Sequence, residues 1–319
     1  MPARRSLLAA PALLAWPAAA QAWPSRTISV LVGFAPGGGT DIIARALQPA
    51  MAEDLGQALA IESRPGASGT LAAAAVSRAR PDGYTLLVTT VSASAVVPPL
   101  MVPPPFDIIA DQLPVALCGT VPLVAVVPDS SPARDFQGFI DHARANPGAL
   151  NYSSSGVATQ QHLAAELLSA DAGLRMVHIP FRGTGQAVNE VLAGRIDIAI
   201  DTLPTYLGHI RAGRVRALAT TMPARTEWLP HLPAVAEFFP GFNANVWYML
   251  MAPPGTPAPI VERLAASVNR ALADPTLRGR VRDAGFIPGA GGPVEAAALL
   301  RADAARYAAL IRRNAIRLD

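Results

Sequence analysis

Short apolar runs rich in β-branched residues alternate along the chain with segments whose apolar residues recur every three or four positions. That alternation predicts layers of strand and helix, an α/β fold. TISVLVGF (27–34) reads as a first strand, and after the glycines that follow it Ile43, Leu47, Ala50 and Met51 fall at helical spacing up to Gly56. ALAIES (58–63) reads as a second strand, GTLAAAAVSRA (69–79) as a helix halted at RPDGY, and YTLLVTT (84–90) as a third strand. VVPPLMVPPPF (96–106) is too rich in proline for regular structure and is expected to be extended loop.

A second alternating series follows. LPVALCGTVPLVAVVP (113–128) is apolar and β-prone, and DFQGFIDHARANPG (135–148) is a helix closed by its own Asn-Pro-Gly. ALNYSSSG, RMVHIPF, RIDIAID and RVRALATT read as strands; TQQHLAAELLSADAG, GQAVNEVLAG and TYLGHIRAG read as helices between them. NVWYMLMAP (245–253) is a last apolar strand, and APIVERLAASVNRALAD and VEAAALLRADAARYAALIRRN are long amphipathic helices. Those two helices bring no strands of their own, so the simplest packing returns them to the first series. The expected organisation is one lobe from 23–120 with 241–319 and a second from 121–240, with VPLVAVV and NVWYMLM crossing between them as a hinge over a cleft.

The first 22 residues are set aside from this plan. Arg4 and Arg5, the apolar run SLLAAPALLAW and the small-residue ending AAAQA have the form of an export leader cut after Ala22. The apolar run is short and broken by Pro11 and Pro17, which argues against an anchor. The paired arginines leave both general and twin-arginine export open. No later stretch is long and apolar enough to span a bilayer.

Charge narrows the function further. All 26 basic residues are arginine and none is lysine; losing Arg4 and Arg5 takes the formal charge from +3 to +1. The arginines are scattered, so no basic patch for nucleic acid is expected. Cys118 is the only cysteine, which leaves no internal disulfide, and its apolar surroundings suit a buried thiol. The absence of lysine excludes a Walker A loop, a Schiff base and an SxxK pair, and no GxSxG elbow is present. The five histidines show no metal-ligand spacing, so neither metal nor cofactor is expected.

GFAPGGGTD (33–41) places three consecutive glycines between a strand and a helix. Bare backbone beside a helix N-terminus suits an anion, and the spacing fits no nucleotide motif; a carboxylate or a simple tight turn remains. Thr40 or Asp41 is expected to cap the helix, and a Cβ at Gly38 to block ligand approach. NYSSSGVATQQH (151–162) repeats the device with Ser153, Ser154, Ser155, Gly156, Thr159 and Gln160, either as ligand donors or as caps. Arg182 and Gly183 in PFRGTG offer a bidentate carboxylate contact or a solvated loop. Asp201 stands at the carboxyl end of an alternating strand, to receive a ligand hydroxyl or ammonium or to cap the next helix.

Taken in order, WPSRTISVLVGFAPGGGTDIIAR, IESRPGASGTLAAAAV, RPDGYTLL, NYSSSGVATQQHLAAELL, HIPFRGTG, IDIAIDTLP, RAGRVRALATT and APPGTPAPIVERLAASVNRALADP resemble the extracytoplasmic solute receptors of tripartite tricarboxylate transporters, the Bug group. The resemblance covers essentially the whole chain after the leader. It implies a type II periplasmic binding fold that captures a small carboxylated solute and delivers it to membrane permease subunits. A monomeric binding protein without catalysis is expected; presentation to a membrane kinase is the alternative use, and a small-molecule enzyme with a split catalytic site the remote one. The resemblance carries ligand contacts over to Phe34, Gly37, Gly38, Gly39, Thr40 and Asp41, and to Ser154, Ser155, Gly156, Thr159 and Gln160, with Arg182 where relatives usually have lysine and Thr202 where they have asparagine after the equivalent of Asp201. Ser92 and Ser94 lie in a loop that borders the cleft in the family. There Ser94 and Val97 replace the usual histidine and asparagine, which implies a less polar ligand such as an aromatic carboxylate.

Overall fold

The computed structural model describes residues 23–314, so the expected leader and its cut lie outside the described residues. The strands are β1 (Ile28–Val32), β2 (Leu59–Ser63), β3 (Thr85–Thr90), β4 (Leu113–Pro128), β5 (Asn151–Ser154), β6 (Val177–Pro180), β7 (Ile198–Thr202), β8 (Val215–Thr220), β9 (Asn245–Ala252) and β10 (Ile287–Pro288). The helices are α1 (Gly39–Leu55), α2 (Thr70–Ser77), α3 (Phe136–Ala145), α4 (Gln160–Ala172), α5 (Thr184–Leu192), α6 (Leu203–Arg211), α7 (Ala258–Ala273), α8 (Pro275–Asp283) and α9 (Pro293–Asn314). Hydrogen-bonded strand order runs β2-β1-β3-β9-β4-β7-β5-β6, with β8 and β10 also paired to β4.

Two parallel groups, β2-β1-β3 and β7-β5-β6, are joined through the antiparallel pair β4 and β9. β4 explains the junction. Its first part, Leu113–Pro122, pairs with β9, while Leu123–Pro128 pairs with β7 and β8. Sixteen nearly continuous apolar residues are what a strand buried on both faces in two successive settings requires. The expected boundary at 120/121 therefore falls inside one strand. Thr221, fully buried, ties the crossover: it accepts from Leu123 N–H at 2.9 Å and donates to Ala244 C=O at 2.6 Å.

The helices follow their patterns. α1 buries Ile43, Leu47, Met51 and Leu55 on one face and stops at Gly56, whose φ of 67° only glycine adopts freely. Each such leucine or isoleucine contributes about 1.5–3 kcal/mol by leaving water. α7 packs on α1 and β4, and α9 on β4 and the turn after β3. Three local readings change. The segment after β3 winds into a π-type turn at Ser92–Val96 and a 3-10 turn at Pro98–Leu100 instead of extended loop, because prolines at the start of a turn need no N–H partner. α8 is a separate helix, opened by Asp274 accepting from Leu277 N–H at 2.7 Å. β10 pairs with β4 as a two-residue strand. Cys118 is fully buried, and burial pushes its thiol up to about 12, so it stays protonated.

Candidate functional site

The carboxyl ends of β1 and β3 face those of β5, β6 and β7 across a cleft. One wall consists of Phe34, Gly38, Gly39 and Thr40 before and in α1, Thr90 at the end of β3 and Ser92 after it, and Val246 and Tyr248 of β9. Opposite stand Ser155, Gln161, Thr184 and Thr202. The walls touch: Ala35 N–H donates to Arg182 C=O at 3.1 Å, Gln160 N–H to Ser92 Oγ at 3.0 Å, and Ser68 Oγ to Val157 C=O at 2.8 Å. They leave a cavity of about 20 Å³, room for about one water.

Four helices open onto this cavity. Gly38 is the N-cap of α1 and Thr202 that of α6; Thr184 is the first residue of α5 and Gln161 the second of α4. None of the four is capped by the side chain of its own N-cap residue, although Ser92 Oγ takes the Gln160 N–H at the start of α4. Uncapped first turns leave N–H groups and the positive end of the helix dipole for a ligand. No charged side chain is among the lining residues.

The three glycines stand in three different settings. Gly37 has φ of 84° and donates its N–H to Asp41 Oδ2 at 3.1 Å. Gly38 is in ordinary extended geometry, and a Cβ there would meet Thr184 Cβ at 3.6 Å, normal contact. Gly39 is the tight one: an added Cβ would lie 2.1 Å from the Tyr248 hydroxyl. Within the protein itself, a side chain is excluded at Gly39, while Gly38 has room for one. Asp41 does not cap α1 as its N-cap residue. It sits in the first turn, and its two oxygens are taken by Gly37 N–H and, at 2.7 Å, by Arg45 Nε.

In the second turn only Ser155 lines the cavity directly. Ser154 Oγ is held at 2.6 Å by His178 Nε2 and donates to Gly156 C=O at 2.9 Å. Thr159 Oγ1 donates to the same carbonyl at 2.7 Å. Gly156, with φ of 137°, lets the Ser68 hydroxyl approach to 2.5 Å of where a Cβ would stand. Gln160 contributes its backbone N–H to Ser92. Behind the turn His178 and His162 stack at 4.0 Å, and Tyr152 stacks on His178 at 4.9 Å and donates its hydroxyl to Glu166. Burial, then the neighbouring His162, lowers His178 to about 4.

Arg182 lies outside the lining: its side chain is exposed, and its contribution is the carbonyl that accepts from Ala35. Beside it, a Cβ on Gly183 would come within 2.9 Å of Ala35 N, so Gly183 serves the meeting of the walls. Asp201 is fully buried one residue before the lining residue Thr202. Its Oδ1 accepts from Gln161 Nε2 at 3.0 Å, Thr184 Oγ1 at 2.9 Å and Thr202 N–H at 2.6 Å. It aims the donors that line the cavity. Ser94 bonds Thr89 Oγ1 at 2.9 Å and Val97 is buried; neither lines the cleft, so the inference of a less polar ligand from these two positions loses its basis.

Sequence reading missed Thr90, Gln161, Thr184, Thr202 as a lining group, Val246 and Tyr248. A signal existed for Thr184 and Thr202, each at a helix start after a glycine or strand end. Tyr248 has none, being one apolar-strand residue among several.

The chain is similar to known proteins over most of its length. Residues 43–316 match the family model described as tripartite tricarboxylate transporter family receptor. The chain belongs to that family. It is 32% identical to protein BugT of Bordetella pertussis, over 96% of this chain and 94% of that one. The backbone superposes on a structure described as a periplasmic transporter with a TM-score of 0.90 at 38% identity, covering 93% of this chain and all of the other. It also superposes on MatC of Rhodopseudomonas palustris with bound malate (TM-score 0.85, 33% identity, 89% and 98% covered). An R. palustris protein with adipate gives 0.88 at 32% identity, with 91% and 97% covered. The periplasmic binding protein fold expected from the sequence is thus the observed one, in a receptor of this transporter family.

Proposed function

We propose that this receptor is exported to the periplasm, captures a small dicarboxylate between two lobes and delivers it, untransformed, to the permease subunits of a tripartite transporter. The observation that carries the reading is the convergence of four helix N-termini, none capped by its own N-cap side chain, on one cavity lined by no cationic side chain. Such a site holds carboxylates by neutral N–H and O–H donors arranged in advance, as helix termini do for anions. Donors on both walls suit a ligand with a carboxylate at each end. The malate and adipate of the two structural neighbours are of that class.

The lobes divide within β4, near Pro122 and Leu123, and rotate about β4 and β9 to admit the ligand. A bound diacid that touches both walls then favours the closed arrangement over the open one. The test is a thermal-shift screen of the chain without its first 22 residues against mono-, di- and tricarboxylates, amino acids and benzoate. A dicarboxylate at a hundred times its Kd adds about 2.7 kcal/mol, a rise of several degrees. A shift with amino acids or benzoate alone, or with no acid at all, overturns the dicarboxylate assignment.

A further inference from the structure

Asp201 presents a problem that its hydrogen bonds do not solve. Oδ1 takes three donors, yet Oδ2 is buried without a partner among the described residues. Among the described residues no cation contributes to its shifted titration. The titratable groups that feel its charge are Tyr206 of α6 and Tyr248 of β9, both buried, and the Tyr206 hydroxyl also lacks a partner. Gln161 of α4 and Thr184 of α5 face it with neutral donors, as does the backbone of Thr202. Those same residues line the cavity, so a carboxylate ligand there sits one hydrogen-bonded residue away from a second carboxylate. A like charge that near disfavours the ionised form of a buried carboxyl.

We infer that capture of a carboxylate ligand is coupled to uptake of one proton from solvent at Asp201 Oδ2. The inference rests on the carboxylate reading of the cleft. The proton removes the like charge while Oδ1 continues to orient Gln161 and Thr184, so the site takes up an anion and a proton together. Asp201 is a positioning residue that acts through these two donors. The direction of its titration agrees: burial raises it to about 6 even before a ligand's charge is added. Near pH 7 the free receptor then holds Asp201 mostly ionised, and the complex holds it mostly protonated.

The experiment is calorimetric titration of malate and adipate into the receptor at pH 7 in phosphate and in Tris, whose ionisation heats differ. The dependence of the heat on buffer counts protons taken up. Expected are about 0.5–1 proton for the wild type and an affinity that weakens about threefold to tenfold from pH 6.5 to pH 8.5. Asp201→Asn keeps an acceptor at Oδ1 and carries no charge. It should bind with uptake near zero and a flat pH profile. Binding by the wild type with no buffer dependence, or undiminished uptake by Asp201→Asn, overturns the coupling while leaving the carboxylate site in place. Should Asp201→Asn not fold, the wild-type buffer dependence and pH profile decide alone. No binding heat with either acid overturns the underlying reading and the coupling with it.

Discussion

The turn before α1 and the turn before α4 both deliver a helix N-terminus to the cleft from the end of a strand, but they are made of opposite materials. The first is nearly bare backbone, because other groups need its space. The Tyr248 hydroxyl stands beside Gly39, and Gly185 from the opposite wall comes so close that its Cβ would lie 2.0 Å from Pro36 C=O. The second turn is dense with hydroxyls that serve one another: Ser154, Thr159 and Gly156 form a closed set anchored by His178. It also contains Ala158 at φ of 58°, and Ser68, which meets this turn from the other wall, is at 53°, with its neighbour Ala67 at 46°. These left-handed alanines and serine hold a local strain of about 1–3 kcal/mol each that the contact between walls offsets. One turn is shaped by what approaches it, the other by its internal wiring.

That contrast can be broken at the first turn with the largest effect. Gly39→Ala drives a methyl group into the Tyr248 hydroxyl, and carboxylate affinity should fall at least about a hundredfold, since a displaced donor set is lost together. Gly38→Ala meets only ordinary contact and should stay within about threefold of wild type by the same reasoning. Calorimetric titration of both variants checks the pair; equal losses would show that the glycines act alike.

At the second turn the handle is pH. His178 is held neutral, with its folded value near 4 against an ordinary value of 6.5. Its folded value is depressed, so the unfolded chain binds the extra proton first. Stability from this group is complete above about pH 6.5 and is lost as pH falls through that range toward 4. Thermal unfolding followed from pH 7 to pH 4 should decline, and His178→Gln should flatten the decline while leaving the first turn's response unchanged. The smallest effect is expected at Arg182. Arg182→Gln removes an exposed guanidinium that lies off the cleft and keeps the backbone carbonyl, so affinity should change by less than about twofold. A tenfold loss would place that side chain on the ligand.

Much of the fold was legible in the order of elements. Periodicity placed α1, α4 and α7, because their buried faces repeat at the helical spacing, and the strand ends carried the turns that became the cleft. The site was legible only where a turn announces itself. Gly37, Gly39 and Ser155 stand in motifs with a local cause. Tyr248 does not: it lies within β9, whose pairing partners β3 and β4 are more than a hundred residues away, and no local pattern distinguishes it from Trp247 or Met249. Asp201 was visible as a carboxylate at a strand end, but its role depends on Gln161 and Thr184, which come from two other helices.

The sequence by itself determined the alternation of strand and helix, the two glycine- and serine-rich turns at strand ends, the scarcity of concentrated charge and the family. Those follow from side-chain period and backbone freedom, which are local properties. Only the tertiary structure decided that β4 is one strand serving both groups, that Gly39 rather than Gly38 is the position without room, that Arg182 faces solvent and that Asp201 lies behind the wall. Each of these depends on which distant backbone or side chain occupies the neighbouring few ångströms, and burial and close approach exist only once the chain has folded.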